Sequence, residues 1–219
     1  MPLDKQTLDE RCAALLRDRI VSGALAPGAR IVEIPLAAEL GISRGTLRAA
    51  LQRLVHERLA VRAAYSGWAV SAMSPQDAWE LFSLRGALEG LAAGLVAGKA
   101  AEPDLEPLRS AFAELERSCR GRGRPVSSAD VAFHRTLVGL ARHERLAEQY
   151  SLLAAQIERY VAASDALIGN AAVLAQHEPI LRAVLAGDAQ EAEALSRRHA
   201  QESGDELLTR LHFESRRTA

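Results

Sequence analysis

The sequence predicts a mainly α protein in two parts. A small front part holds three helices and a β-hairpin; behind it lies an all-α, six-helix antiparallel bundle. Three observations carry this reading. Alanine makes up about a fifth of the 219 residues, Leu, Arg and Glu are abundant, and aromatics are only 4%; such a mixture favours helices on intrinsic propensity. Charge is unevenly divided: residues 1–73 hold 10 Lys+Arg against 7 Asp+Glu, residues 74–219 hold 17 against 21, and the net is only −1. A basic front and a mildly acidic back point to two domains, 1–73 and 74–219, with different partners. After the hairpin no Val/Ile-rich alternating run occurs, so no sheet is expected there.

Composition also excludes several classes. Hydrophobic residues at 48% and charged residues at 25% exclude a disordered chain. Two cysteines, Cys12 and Cys119, exclude a disulfide-built scaffold and fit a reducing compartment. No apolar run approaches the ~18 residues that span a bilayer. Met1-Pro2-Leu3-Asp4-Lys5-Gln6 has no signal-peptide apolar core. A soluble cytoplasmic protein with no membrane partner is expected.

In the front part, a helix over 8–22 places Leu15, Leu16, Arg19 and Ile20 at helical spacing and stops at Gly23. Leu25-Ala26-Pro27-Gly28 is a turn, because Pro fixes φ and Gly permits positive φ. A short helix runs through Leu36, Ala37 and Leu40 to Gly41. Ser43 then caps a third helix, from about Arg44 to about Arg58. That helix sets Leu47, Leu51, Leu54 and Val55 on one face, and Arg44, Arg48 and Gln52 on another. Residues 41–62 hold five arginines (44, 48, 53, 58 and 62) against one acid, Glu57. Helix, short helix, glycine turn and basic helix is the order of a helix-turn-helix, whose second helix enters the major groove. Arginine suits that role, since its planar fork bonds guanine O6 and N7 together. Charge alone is equally compatible with a solvated helix face. Two extended pieces around Ser66-Gly67 then form a hairpin, or wing, with Trp68 burying its ring.

Ser74 caps and Pro75 opens the first bundle helix. Helices are expected over about 75–98, 103–120, 127–141, 144–166, 170–186 and 189–213, with breaks at Gly98–Pro103, Gly121–Pro125, Arg142-His143, Gly169-Asn170 and Gly187-Asp188. Asp130 and His134, four apart, share a helix face; His177 and His199 lie on the last two helices. One carboxylate and three imidazoles from three helices can hold a divalent metal at the bundle axis. Isolated histidines are commonly surface or core residues, and His56 and His212 are read as surface. Glu178 is read as a group supporting the site or as solvated.

Two stretches resemble a known family. Gly23-Ala24-Leu25-Ala26-Pro27-Gly28, Leu36-Ala37-Ala38-Glu39-Leu40-Gly41-Ile42-Ser43-Arg44 and Arg48-Ala49-Ala50-Leu51-Gln52-Arg53-Leu54 resemble the winged helix-turn-helix of the GntR transcription regulators. The resemblance implies that Arg44, Thr46 and Arg48 contact double-stranded operator DNA from the recognition helix, and Gly67 from the wing. Gly45 departs from the polar residue usual there, and Ile34-Pro35 stands where some members carry a second-helix Arg. The back part resembles the FCD domain of the FadR-like subgroup, through Asp130-Val131-Ala132-Phe133-His134, His177 with Pro179–Asp188, and His199, and through Leu84-Arg85 with Glu89. It departs at His143, where an Asn is common. This implies an FCD-type bundle with Asp130, His134, His177 and His199 as metal ligands. Zn2+ is the first choice, with Ni2+, Mn2+ or Fe2+ as alternatives.

The family pattern adds a small organic acid effector beside the metal, with repression relieved on its binding. Arg85 is its second cationic partner, or else simply pairs with Glu89 along the helix. Hydroxy acids, sugar acids and dicarboxylates all fit. A homodimer is implied, and the small-residue stretch Leu91–Val96 can serve dimer contact or core packing. The alternative is a helical metallohydrolase or metallo-oxygenase built on the same four ligands. It is disfavoured because no general base is placed and the winged helix is left unexplained.

Overall fold

The computed structural model describes residues 6–63, 67–99 and 102–218. The chain divides into two compact units between Met73 and Ser74.

The first unit contains α1 (Leu8–Val21), β1 (Arg30–Ile31), α2 (Glu33–Glu39), α3 (Arg44–His56), β2 (Ala60–Ala63) and β3 (Gly67–Val70). Its core forms where α1 lays Leu16 and Ile20 against Leu47, Leu51 and Leu54 of α3, closed by Leu36, Leu59, Trp68 and Val70. Leu15 of the expected apolar stripe is instead 41% exposed, and Cys12 and Ala13 take its place. Gly41 adopts φ 63° at the turn between α2 and α3, a conformation that favours glycine. Ser43 caps α3 as expected, its Oγ accepting the Thr46 N–H at 3.1 Å. The hairpin forms with Ala63 opposite Gly67; Ser66, expected at its turn, lies outside the described residues. The sheet has a third strand, β1, on the other side of β3. Two residues are too short for any alternation, so sequence pattern carries no signal for it.

The second unit contains α4 (Pro75–Ala97), a 3-10 turn (Glu102–Leu105), α5 (Glu106–Cys119), α6 (Val126–Leu140), α7 (Glu144–Ile168), α8 (Asn170–Ala186) and α9 (Ala189–Thr218). Ser74 caps α4 through the Asp77 N–H at 3.0 Å. The helix expected from 103 begins later as α5. Pro107 sits in its first turn, where its missing N–H is harmless; further inside a helix it would clash with the preceding turn. His143 takes over the cap its position calls for, its Nδ1 accepting the Leu146 N–H at 3.2 Å. Asn170, which opens α8, donates from Nδ2 to the Cys119 carbonyl at 3.1 Å and ties α8 to the end of α5.

Helix α4 packs along α9 through small residues. A Cβ on Gly86 would lie 3.4 Å from Ala200 Cβ, and one on Gly90 only 3.2 Å from the Glu193 carbonyl. On the facing helix, a Cβ on Gly204 would come within 2.8 Å of Phe82 Cβ. Ala92, Ala93 and Val96 of the small-residue stretch are buried and therefore pack inside the chain, while Leu91 stays at the surface, 41% exposed. This close approach brings α4 and α9 side chains to the bundle axis. Among the described residues no helix is long and apolar enough to cross a membrane.

Candidate metal centre and nucleic-acid interface

Helical spacing and burial assemble the first site. Asp130 and His134 are one turn apart on the inner face of α6, and His177 of α8 and His199 of α9 face them. All four are at most 4% exposed, and one ligand atom from each lies within 4.8 Å of all the others. His134 Nε2 is 3.0 Å from His177 Nε2 and 3.2 Å from His199 Nε2. His177 Nε2 is 3.1 Å from Asp130 Oδ2. Ligand atoms held ~2.1 Å from a cation are ~3.0 Å apart in octahedral and ~3.4 Å apart in tetrahedral geometry. These three spacings match those edges, and the set as a whole lies within 4.8 Å.

The outer ring nitrogens face acceptors. His177 Nδ1 is 2.7 Å from the Val173 carbonyl, and His134 Nδ1 is 3.0 Å from Glu89 Oε2. The Val173 carbonyl can only accept, so His177 Nδ1 carries hydrogen, and the carboxylate beside His134 Nδ1 favours a hydrogen there too. Two imidazole nitrogens 3.0 Å apart need a proton or a metal ion between them. Asp130 Oδ1 is buried with no hydrogen bond among the described residues. The residues thus fit a divalent metal by their convergence and donor chemistry.

Arg85 stands beside this cluster and is 1% exposed. The two readings of it are compatible. Its Nε donates to Glu89 Oε1 at 2.8 Å, while its Nη2 lies 3.4 Å from His199 Nε2 and 3.6 Å from Asp130 Oδ1. Tyr150, which sequence reasoning missed, donates to the same Glu89 oxygen at 2.8 Å. Nothing in the spacing of α7 distinguishes this tyrosine from a core aromatic.

Electrostatics follow burial and charge. Burial pushes Glu89 up, but Arg85 and His134 outweigh it and hold its carboxyl well below the usual range. Asp130 behaves alike, with His177 outweighing burial. Burial drives His199 well below the ordinary imidazole value, with His177 and His134 adding to the shift. Asp165 of α7, also missed from sequence, is pushed up to about 8 by burial and by the negative Asp130.

The second site lies on α3. Arg44 and Arg48 are exposed and Thr46 is half-buried beside the Ser43 cap. Gly67 opens β3 with φ 85°. The other arginines of the basic stretch divide by role. Arg53 pairs with Asp9 at 2.8 Å and Glu10 at 3.2 Å on α1. Arg62 lies over the Trp68 ring, 5.5 Å from its centroid. The residue missed here is Glu33. Arg48 Nε donates to both its carboxylate oxygens at 3.0 and 2.9 Å, Arg44 Nη2 to one at 3.2 Å, and Trp68 Nε1 to the other at 2.9 Å. These bonds, Trp68's first, hold the Glu33 carboxyl below its ordinary value despite partial burial. An isolated acid in the first turn of a short helix gives no sequence signal of such a role.

Comparison with known proteins follows the same division. Residues 8–70 match the family described as bacterial regulatory proteins, gntR family, and residues 80–202 match the FCD domain. The chain is 31% identical over 188 residues to the "Probable D-xylose utilization operon transcriptional repressor" of Paenarthrobacter nicotinovorans, covering 83% of this chain and 82% of that protein. It is 27% identical over 164 residues to the gluconate operon transcriptional repressor of Bacillus subtilis, covering 73% of this chain and 65% of the relative. A GntR-type regulator from Rhodococcus sp. RHA1 superposes with TM-score 0.75 at 25% identity, over 92% of this chain and 97% of that one. The fold is also that of E. coli McbR/YncC, TM-score 0.77 at 21% identity, over 95% of this chain and all (100%) of that one. The family and these relatives are transcriptional regulators, which sets the metalloenzyme reading aside. The chain belongs to the GntR family: it is a DNA-binding transcriptional regulator with a GntR-type helix-turn-helix domain followed by an FCD domain.

Proposed function

We propose that the protein is a homodimeric repressor released from its operator by a small carboxylate bound at a metal in the bundle. The observation that carries this is the convergence of three inward Nε2 atoms and the Asp130 carboxylate in a dry bundle linked to a DNA-binding domain. Asp130, His134, His177 and His199 hold the ion, with Zn2+ the first choice. The ion supplies positive charge and open coordination positions for a carboxylate. Arg85 supplies a second, fixed cationic contact through its Nη2, and Glu89 with Tyr150 prevents that side chain from turning away. A charge-assisted pair of contacts in a water-poor site suits hydroxy and sugar acids; two relatives bear the names of sugar and sugar-acid operons.

On the DNA side, Arg44, Thr46 and Arg48 enter the major groove and Gly67 approaches the backbone from the wing. Two copies place two recognition helices on two half-sites, and effector binding changes their spacing. Exposed Leu84 and Leu91, two turns apart on one face of α4, offer an apolar surface for the second copy.

The test is Asp130→Ala. Metal content by mass spectrometry is expected to fall and carboxylate-induced release of DNA to disappear, while DNA affinity in fluorescence anisotropy stays near wild type. Unchanged metal content would remove the site.

A further inference from the structure

We propose that Glu33 sets the DNA specificity of this protein as a positioning residue: it grips Arg48 by Nε and leaves the terminal Nη1–Nη2 edge to read a guanine. This rests on the reading that Arg48 contacts base pairs.

The carboxylate gathers three donors from two elements that meet at the recognition face. Arg44 and Arg48 come from α3, and Trp68 Nε1 comes from β3 of the wing. The Glu33 side chain is 16% exposed, whereas the Arg44 and Arg48 side chains are 57% and 56% exposed. It is thus a largely covered anchor beneath two solvent-facing side chains. Its position is fixed from below by the buried Trp68 ring.

Nitrogen usage decides what remains. Guanine is read by two parallel N–H groups from one edge of the guanidinium. Arg48 gives only its Nε to Glu33, by a shared bond to both oxygens, so its terminal edge is intact. Arg44 gives a terminal Nη2, so its terminal edge is already engaged, which suits a contact to phosphate better than a base. A free arginine loses considerable rotamer freedom on binding, and holding the stem beforehand lowers that cost. With Ile34 and Pro35 next to it, α2 acts on DNA through Glu33 and the arginines it orients.

The charge predicts a signature that loss of structure cannot mimic. An anion under the recognition face repels phosphate, so removing it strengthens sequence-independent binding. Removing it also releases Arg48, so sequence-specific binding weakens. The specific affinity should fall while the non-specific affinity holds or rises.

The experiment uses full-length protein and a duplex selected from a random library by the wild type, with a scrambled duplex as reference, across a salt series. Glu33→Gln is expected to lower the ratio of specific to non-specific affinity by about tenfold or more. Its affinity for the scrambled duplex should be equal or higher, with the same melting temperature. Glu33→Asp keeps the charge but shortens the reach; it should keep the wild-type salt slope and still lose part of the ratio. A ratio within twofold of wild type in Glu33→Gln would overturn the proposal, as would equal loss of both affinities. Arg48→Ala separates the underlying reading: unchanged specific affinity there would show that Arg48 reads no base, and Glu33's role would fall with it.

Discussion

Each unit of this protein is organised by a glutamate that holds arginine, but in opposite solvents. In the front unit Glu33 holds Arg44 and Arg48, both more than half exposed. In the bundle Glu89 holds Arg85, with both side chains at most 1% exposed. At the surface an ion pair contributes little to stability, and its cations remain available to a polyanion. Inside, neither charge can reach water, so each depends on the other. The buried network, Arg85–Glu89 with Tyr150, His134 and Asp130, therefore carries part of the bundle's stability whatever it binds. The exposed one can be remodelled at little cost to the fold.

The largest expected effect tests the buried side. Arg85→Ala leaves Glu89 and Asp130 without their cation and should cost about 3–5 kcal/mol of stability, read by thermal or urea unfolding. Arg85→Met with Glu89→Leu removes both charges and should cost much less. An Arg85→Ala protein as stable as wild type would show that the pair is not isolated from solvent. Next comes the packing that builds the site. Gly204→Ala puts a methyl within 2.8 Å of Phe82 Cβ, and overpacking of this kind costs about 1–3 kcal/mol. Metal content should fall with it if the α4–α9 approach positions His199. The smallest effect belongs to the surface. Arg53, tied to Asp9 and Glu10 on α1, should lose about 0–1 kcal/mol of stability on change to Ala and leave the specificity ratio untouched. A changed ratio would move Arg53 into the group that reads DNA.

The same contrast explains what was legible in the sequence. Helix limits were readable where a residue acts on its own backbone. Ser43 and Ser74 cap, Pro75 opens, and Gly41 and Gly187 turn. The third strand was not, because Arg30–Ile31 is defined only by its pairing with β3. Asp130 with His134, and Arg85 with Glu89, could be paired by helical spacing. Joining them to His177 and His199 needed the family resemblance, since spacing along a chain does not say which helices meet. Glu33, Tyr150 and Asp165 were missed for one reason. Each takes its role from a partner 15 or more positions away (Arg48, Trp68, Glu89, Asp130).

The most direct test of the account measures metal and DNA binding on the same samples of wild type and His177→Ala. Wild type should carry about one divalent ion per chain and release its selected duplex when a small hydroxy or sugar acid is added. His177→Ala should lose the ion and the release but bind the duplex as tightly. A variant that keeps its ion, or a metal-free wild type that still releases DNA on addition of the acid, would contradict it.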